Sequence, residues 1–270
     1  MRNNCLFSKP IYTMQLSQQH IKNIRSLHQS KFREELKQFI AEGLKTIHDL
    51  VAFGAELEYI IALPHIATND MLKEITRNIY VTDEPGMKKI SNLVTPPGIV
   101  GIFKLKEILK INTLQDTARC LVLDGISDPG NMGTMIRTAH WFGFHTIYLA
   151  NHCVDIFSPK VVQSSMGSLT AIKYYQIESI EDWIKDCGNK NFPVLATAMN
   201  GESINSVSIP SDAALVMGSE SHGISEAWNS EYVKKITIPF YSSSHPESLN
   251  VSVAAAILME RMSEERAVSC

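Results

Sequence analysis

The sequence predicts a two-domain α/β protein, and three observations lead to that prediction. The chain has 270 residues, which exceeds the length of one average domain. Its hydrophobic fraction of 44% is ordinary for a globular protein with sizeable cores. In the second part of the chain, short apolar runs alternate with helix-like segments, which is typical of a mostly parallel sheet with helices on both faces.

The first part of the chain is predicted to form a smaller α/β domain. Residues 16–52 are predicted to be helical because apolar residues recur there at spacings near three and four. Gly43 interrupts this pattern and could separate a helix from a following strand or helix. The recurring residues are Leu27, Phe32, Leu36, Phe39, Ile40, Leu44, Ile47 and Leu50. Predicted strands follow at 59–63, 79–82 and 99–103, with predicted helices at 70–78 and 84–93.

A polar stretch at 107–117 is predicted to separate the two domains, which we expect at 1–112 and 113–270. The predicted strands of the second domain are 121–123, 146–149, 171–174, 194–197, 215–217 and 235–238. Its predicted helices are 132–142, 159–166, 180–185 and 251–265. Ser179 and Asp182 have the spacing of a capping box for one of these helices. Trp141, Phe142 and Phe144 are expected in the core.

The net charge of −3 hides an asymmetry between the two parts of the chain. Residues 1–110 carry 15 Lys and Arg against 11 Asp and Glu, whereas residues 111–270 carry 10 against 17. A basic first part suits contact with nucleic acid phosphates, although many proteins with this excess bind no nucleic acid. The acidic second part is not expected to bind RNA non-specifically by itself.

Composition also bears on the compartment and on metal binding. The five cysteines are scattered without a CxxC pair, which favours reduced thiols in a cytoplasmic protein and no zinc site. The spacing of His140, His222 and His245 suits no zinc site either. No apolar run approaches the roughly 18 residues of a membrane span, and the N-terminus lacks the apolar region of a secretory signal. We therefore expect no metal and no membrane partner.

Three loops that follow predicted strands are rich in glycine and small polar residues. Their segments are LVLDGISDPGNMGTMIRTAHWFGF (121–144), LVMGSESHGIS (215–225) and IPFYSSSHPESLNVSVAAAILMERM (238–262). Small residues at strand ends let the main chain approach a ligand closely. Neither GxGxxG nor GxxxxGK[ST] occurs, which disfavours a nicotinamide enzyme or a P-loop NTPase. One glycine after a strand is more often a turn than a ligand site, so the prediction depends on all three loops together.

Taken in order, these segments resemble the three motifs of the SpoU/TrmH family of RNA 2′-O-ribose methyltransferases. The DPGNxGxxxRTA pattern is met at 128–139, GxExxG at 218–223 and SLNVSVA at 248–254. SPKVVQSSMGS (158–168) and KFREELKQFIAEGLK (31–45) also resemble segments of larger family members, so the resemblance covers about residues 20–265. One departure is the stretch 241–247, which looks longer than the usual connection before SLNVS.

The resemblance implies a fold and partners that composition and periodicity could not have predicted. The second domain is expected to be a SPOUT methyltransferase domain with a deep trefoil knot, holding S-adenosylmethionine in the knotted loops and forming a homodimer. True knots are rare among folds. The first domain is expected to resemble a small ribosomal protein fold and to bind structured RNA. Lys31 and Arg33 are its expected phosphate contacts.

The resemblance also assigns roles to residues of the three motifs. Those matching cofactor-binding positions are Thr197, Gly218, Glu220, Ile238 and Leu249. Those matching catalytic positions are Asn131, Arg137, Glu220, Ser248 and Asn250. A ribose 2′-hydroxyl must attack the methyl group of a sulfonium in line, so the enzyme must position both partners and needs no metal. Glu220 is expected to orient Arg137 or Asn131, while Asn131, Ser248 and Asn250 could also cap helices, alone or together with their functional role.

Arg137 has two candidate roles in the methyl transfer. Arginine keeps its proton far above neutral pH, which favours a charged Arg137 that orients ribose and phosphate and stabilises the forming alkoxide. The alternative is that Arg137 takes the hydroxyl proton. It could also be purely structural, paired with Glu220 or capping a helix.

We therefore predict 2′-O-methylation of structured RNA, with ribosomal RNA favoured over transfer RNA by analogy only. Two other classes stay open. One is a non-catalytic RNA-binding protein that retains the fold. The other is a knotted methyltransferase acting on a base atom or on protein.

Overall fold

The computed structural model describes residues 12–76, 78–244 and 248–263. The chain divides between Leu105 and Lys106 into two units, called here the N-terminal and the C-terminal unit. This division precedes the position 112/113 expected from sequence. The reason is a short strand, β6 (Leu109–Ile111), which pairs with strand β9 (Lys173–Ile177) of the C-terminal unit.

The N-terminal unit is built on a five-stranded mixed sheet. Its strands are β1 (Tyr12–Gln15), β2 (Gln38–Glu42), β3 (Leu57–Ala62), β4 (Asn78–Val81) and β5 (Ile99–Lys104), in the order β1-β4-β3-β5-β2. β5 runs antiparallel to β2 and β3, and the other pairs are parallel. Its helices are α1 (Gln18–Ser26), α2 (Ser30–Leu36), α3 (Leu44–Ala52), α4 (Pro64–Ala67), α5 (Asp70–Ile75) and α6 (Glu84–Ile90).

Strand β2 corrects the prediction of helix across 16–52. α2 ends because Lys37 takes the left-handed conformation with φ of 52°, and Gly43, with φ of 94°, follows the strand. Between them Phe39, Ile40 and Ala41 are all buried, so both faces of the strand are covered. A continuous apolar run of this kind cannot be distinguished from a buried helix by its periodicity.

The C-terminal unit contains a seven-stranded sheet in which every pairing is parallel, as predicted. Besides β6 and β9, its strands are β7 (Cys120–Asp124), β8 (Thr146–Ala150), β10 (Val194–Ser203), β11 (Ala214–Gly218) and β12 (Val233–Thr237). Their order is β12-β10-β11-β7-β8-β9-β6. The strand predicted at 171–174 begins only at Lys173, after a 3₁₀ turn at Ser168–Ala171.

Helices pack against this sheet and start close to their predicted positions. They are α7 (Pro129–Trp141), α8 (Pro159–Ser165), α9 (Ile180–Asn189) and α10 (Val251–Arg261); the predicted positions 264 and 265 lie outside the described residues. Ser179 caps α9 by accepting from the N–H of Asp182. α7 and α8 pack so closely that a Cβ on Gly133 would lie 1.9 Å from Ser164 Oγ.

A cluster of aromatic side chains forms part of the core of the C-terminal unit. The ring centroid of Trp183, on α9, lies 5.1 Å from that of Tyr148 and 6.0 Å from that of Trp228. All three rings are buried, together with apolar side chains of β7, β10 and β11. Burying a large apolar side chain contributes about 1.5–3 kcal/mol, so this cluster holds α9 firmly against the sheet.

Two side chains lie where the sequence did not predict them. Trp141, expected in the core, is 85% exposed near the end of α7, whereas Phe144 is buried as predicted. Arg33, expected to contact RNA, is only 3% exposed and donates a hydrogen bond to the main-chain oxygen of Leu27 at 2.8 Å. Arg33 therefore belongs to the interior of the N-terminal unit.

Three further observations concern the described ranges alone. Every helix within them is too short or too polar to span a lipid bilayer. In the same part of the chain, no three His, Cys, Asp or Glu side chains are grouped so as to hold a metal ion. Cys120, Cys153 and Cys187 are free thiols.

Candidate active site

Polar loops meet at one edge of the seven-stranded sheet. β7 and β11 are hydrogen-bonded neighbours, in register from Cys120 and Ala214 to Asp124 and Gly218, and β10 and β12 lie next along the sheet. Because these strands are parallel, the loops that follow β7, β11 and β12 leave from the same edge. Ligands of open α/β sheets bind in the crevice outside the carboxyl ends of the strands.

The loop after β11 is a tight turn that requires glycine at its start. The N–H of Ser219 donates to the oxygen of Gly223, and the N–H of Gly223 donates to the oxygen of Ser219, both at 2.9 Å. The two arms approach so closely that a Cβ on Gly218 would lie 2.2 Å from the carbonyl carbon of Gly223. Gly223 has φ of 68°, a conformation that glycine adopts without strain. The turn fixes the main chain on which Glu220 stands.

Glu220 joins the three motif loops through one carboxylate oxygen. Its Oε1 accepts hydrogen bonds from Asn131 Nδ2 at 3.0 Å, from Asn250 Nδ2 at 2.7 Å and from the N–H of Val251 at 3.3 Å. Asn250 Nδ2 also donates to Asn131 Oδ1 at 3.1 Å. We call these four residues the Glu220 junction. Among the described residues none donates to Glu220 Oε2, which leaves that oxygen able to accept from a ligand.

The starts of two helices place the asparagines of the junction. α7 is capped by Asp128, whose Oδ1 accepts from the N–H of Asn131 at 2.7 Å, so Asn131 is not the cap and its amide is free for the junction. Asn250 does cap α10, because its Oδ1 accepts from the N–H groups of Ser252 and Val253. Its Nδ2 serves the junction at the same time, so one side chain has both roles.

A cavity of about 770 Å³ is bounded partly by Glu220. Six residues that the resemblance assigned to the site line it: Thr197, Gly218, Glu220, Ile238, Ser248 and Leu249. Much of the remaining wall is apolar and was not predicted, including Met217, Ile236, Phe240, Ala254 and Leu258. A mainly apolar cavity of this size with a few polar groups is typical of a small-molecule site. The i, i+4 spacing of Ala254 and Leu258 was the signal available in the sequence.

Arg137 lies outside the Glu220 junction. It is exposed on α7, in a stripe with Thr134 and Trp141, at the i, i+3 and i+7 spacing of one helix face. Within the described residues it forms no hydrogen bond or ion pair. The hypothesis that Glu220 orients Arg137 is therefore not supported, whereas its alternative, that Glu220 orients Asn131, agrees with the hydrogen bond between them.

Asp124 anchors the far end of the loop after β11, a role that was not predicted from sequence. It is the last residue of β7, and it is 2% exposed. Its Oδ2 accepts from the N–H of Ser225 at 2.6 Å and from Trp228 Nε1 at 3.0 Å, and Asn151 Nδ2 donates to its Oδ1. A buried carboxylate needs such donors. The sequence feature that could have indicated this role is an acidic residue at the end of an apolar strand.

Burial excludes the nearby cysteine as a nucleophile. Cys153 Sγ lies 3.2 Å from the oxygen of Leu123 and 3.4 Å from that of Ala150. Burial raises the pKa of Cys153 to about 11, and the neighbouring charge of Asp124 adds to the rise. Because the thiolate is the nucleophile, a thiol with this pKa is almost unreactive at neutral pH.

His140 takes no part in the Glu220 junction. Its Nδ1 lies 3.1 Å from Ser168 Oγ, and burial, followed by the neighbouring His145, lowers its pKa. A lowered pKa keeps this imidazole neutral near pH 7, so it adds no positive charge to the region.

The fold and this edge of the sheet define the class of protein to which the chain belongs. The sequence profile of the SpoU rRNA Methylase family matches residues 118–260, and that of the MRM3-like substrate binding domain matches residues 18–101. The chain belongs to the SpoU rRNA methylase family, with an additional substrate-binding domain before the methylase domain. The family resemblance and the α/β fold predicted from sequence are confirmed.

Particular relatives extend over nearly the whole chain. The 23S rRNA (guanosine(2553)-2'-O)-methyltransferase RlmP of Bacillus subtilis is 27% identical over 251 residues, which are 89% of this chain and 94% of that protein. A TrmH-family protein of Porphyromonas gingivalis has a similar structure, with a TM-score of 0.80, 31% identity and coverage of 93% of this chain and 99% of the other. The AdoMet-bound rRNA methyltransferase of Sinorhizobium meliloti has a TM-score of 0.77 at 27% identity, covering 95% and 98%.

Proposed function

We propose that this chain transfers a methyl group from S-adenosylmethionine to the 2′-hydroxyl of a ribose in ribosomal RNA. The observation that carries the proposal is the Glu220 junction, which joins the three motif loops beside a cavity of about 770 Å³. The relatives' activities support the substrate, because RlmP of Bacillus subtilis is a 23S rRNA 2′-O-methyltransferase. Transfer RNA, the alternative substrate, is the less favoured.

The residues around the cavity suit S-adenosylmethionine. Ile236, Ile238 and Leu249 offer an apolar surface for the adenine ring. The main chain of the turn approaches Gly218 too closely for a side chain, so Gly218 presents only main-chain groups to the cavity. The open Oε2 of Glu220 adds an acceptor for a positively charged or hydroxyl-bearing part of the ligand. We therefore assign the cofactor to this cavity.

In the mechanism, the side chains position the reactants and stabilise charge. When bound, S-adenosylmethionine supplies an electrophilic methyl group on a positively charged sulfur. The Glu220 junction fixes the loops that carry Asn131 and Asn250, so little reorganisation is needed during the reaction. Arg137, exposed on α7, holds the ribose and its phosphate and stabilises the 2′-oxygen while the hydroxyl proton passes to solvent water. Ser248 orients the ribose from the cavity wall.

One assay distinguishes this function from its alternatives. The purified chain is incubated without metal, with methyl-labelled S-adenosylmethionine and either an unmodified 23S ribosomal RNA transcript or transfer RNA. The RNA is then digested to nucleosides. We expect label in 2′-O-methylnucleosides of the ribosomal RNA. Label on a base would assign a different methyltransferase activity, and RNA binding without any transfer would indicate a non-catalytic protein. Transfer RNA labelled in preference would reverse the substrate assignment.

We also propose that the chain forms a homodimer through α7 and α10, helices that pack against each other. Both expose large apolar side chains, with Trp141 85%, Val253 48% and Ile257 38% exposed. An exposed apolar patch of this kind marks an interaction surface.

The trefoil knot implied by the family resemblance stays a prediction. We also place the protein in the cytoplasm, where its free thiols stay reduced.

The dimer prediction is tested by sedimentation at micromolar concentration. We expect a mass near twice 30.2 kDa for the unchanged chain. Ile257→Glu should shift it to the monomer, because a charge would be buried without a partner. Val94→Glu, at a fully exposed apolar residue of the N-terminal unit, is the matched control and should leave the mass near that of the dimer. A fully active chain that sediments as a monomer contradicts the proposal.

A further inference from the structure

The N-terminal unit has a basic surface that lies outside the three sequence motifs. α1 and α6 pack side by side, and their outward faces carry Lys22, Arg25, Lys88 and Lys89. We propose that these four residues, called here the α1–α6 basic surface, bind the sugar-phosphate backbone of the RNA substrate. This inference rests on the proposed function for the identity of the RNA.

The amphipathic pattern of the two helices explains why these four side chains point outward. α1 buries Ile21 and Ile24, and α6 buries Met87 and Ile90, all in one apolar cluster of the unit. The basic residues occupy the positions between these apolar ones and are all exposed. Packing the two apolar faces together therefore sets the charges side by side on one surface.

The charges of this surface are not neutralised within the described residues. Lys22, Arg25, Lys88 and Lys89 form no ion pair there. In contrast, Lys45 pairs with Asp49 at 3.0 Å, and Lys104 pairs with Glu56. α1 contains no acidic residue, and Glu84, exposed in the first turn of α6, forms no ion pair with Lys88 among the described residues. Glu42, near the end of α6, is buried and accepts from Ser91 and Asn92. The surface therefore keeps a concentrated positive charge.

Helix stability alone does not account for this arrangement. Arg25 lies in the last turn of α1, and Lys88 and Lys89 lie in the last turn of α6, where cations favour the helix dipole by about 0.3–1 kcal/mol. Lys22 lies in the middle of α1, outside the last turn, and gains little from that effect. The dipole also gives no reason for two helices to bring their basic residues to one surface.

Two shallow depressions on this surface suit successive phosphate groups. One, of about 420 Å³, is lined by Lys22, Arg25 and Lys89, and the other, of about 440 Å³, by Arg25, Lys88 and Lys89. Arg25 and Lys89 border both. Side chains able to donate to phosphate or ribose oxygens also line them, namely Gln18 and Gln29 in the first depression and Asn92 in the second. Adjacent depressions that share two cations match a polyanion with regularly repeated charges.

The test measures RNA affinity of the full-length chain as a function of salt. The probe is a 23S ribosomal RNA transcript, and the variants are Lys88→Gln with Lys89→Gln, and Lys22→Gln with Arg25→Gln. Each lost phosphate contact should lower the slope of log K against log salt by about 0.7–0.9, so each double variant should lose about 1.4–1.8 from the slope. At 0.15 M salt that corresponds to about 20-fold weaker binding.

The matched control changes the same charge elsewhere on the unit. Lys37→Gln with Lys104→Gln removes two exposed lysines that line neither depression, and we expect less than about a 3-fold change with an unaltered slope. Thermal unfolding and S-adenosylmethionine affinity, measured on all variants, identify any that fail to fold. Folded basic-surface variants that bind the transcript with unchanged affinity and slope overturn the proposal, as does an equal loss in the control.

The readout separates this inference from the proposed function. RNA affinity can be measured without methyl transfer. A chain that binds RNA through the α1–α6 basic surface but transfers no methyl group would therefore contradict the proposed function alone. A chain that methylates RNA and binds it with unchanged affinity and salt slope when the basic surface is neutralised would contradict the inference alone. If the surface binds vesicles of anionic lipid and does not bind RNA, it is a membrane contact, and that result also overturns the inference.

Discussion

Replacing Arg137 by alanine is expected to lower the rate of methyl transfer by about 10² or more, the scale on which loss of one preorganised stabilising group acts. Folding and cofactor binding should change little, because Arg137 is exposed, forms no hydrogen bond within the described residues and does not line the cavity. The measurement is single-turnover transfer at saturating RNA, with S-adenosylmethionine affinity from calorimetry.

The Arg137→Lys variant distinguishes the two roles of this side chain. Lysine keeps the charge but lacks the planar fork that binds ribose and phosphate together, so lysine should be nearly as poor as alanine if the fork orients the substrate. If the side chain instead accepts a proton, lysine has the lower ordinary pKa and should retain pH-dependent activity. Transfer by the alanine variant at the unchanged rate would remove Arg137 from the mechanism.

Replacing Gly218 by alanine is expected to weaken S-adenosylmethionine binding by about 100-fold. The new Cβ would lie 2.2 Å from the carbonyl carbon and 2.4 Å from the carbonyl oxygen of Gly223, so the main chain of the turn must move. Overpacking of a buried position costs about 1–3 kcal/mol, and a clash with main chain belongs at the upper end of that range. Calorimetric titration measures the loss of cofactor affinity, and thermal unfolding measures the loss of stability caused by overpacking.

Gly188→Ala is the matched control for Gly218→Ala. Its Cβ would also meet a close neighbour, at 2.8 Å, but that neighbour is the exposed ring of Tyr232, which can turn aside. Gly188 lies in α9 and does not line the cavity. We expect unchanged cofactor affinity here. If Gly218→Ala also binds S-adenosylmethionine as tightly as the unchanged chain, the cofactor does not sit at this turn.

Most of the parallel sheet was predictable from sequence, and the reason is burial. β7, β8 and β11 are buried along their whole length, so each appears as an apolar run bounded by turn residues. β2 has the same character but follows helix directly, so it was predicted as part of that helix. β1 and β6 were missed because an edge strand of three or four residues leaves almost no pattern.

The candidate site was predictable only where a motif carries it. The motif residues came from resemblance, and the cavity brings six of them together. Sequence could not predict that Glu220 would bond Asn131, 89 positions away, rather than Arg137, because that choice depends on which face of α7 each side chain occupies. Nor could it predict that Asp124 would accept from Trp228, 104 positions later.

The span of the Glu220 junction has a consequence for the newly made protein. Asn250 bonds Asn131 across 119 positions and Glu220 across 30, so the junction cannot close until the chain has been synthesised past Val251, the first residue of α10. Domains fold as units during synthesis, and contacts this distant in sequence form late. The N-terminal unit is complete long before that point. If the α1–α6 basic surface binds RNA as proposed, a growing chain acquires that surface before it can modify RNA, and a chain terminated before Asn250 would compete for RNA without methylating it.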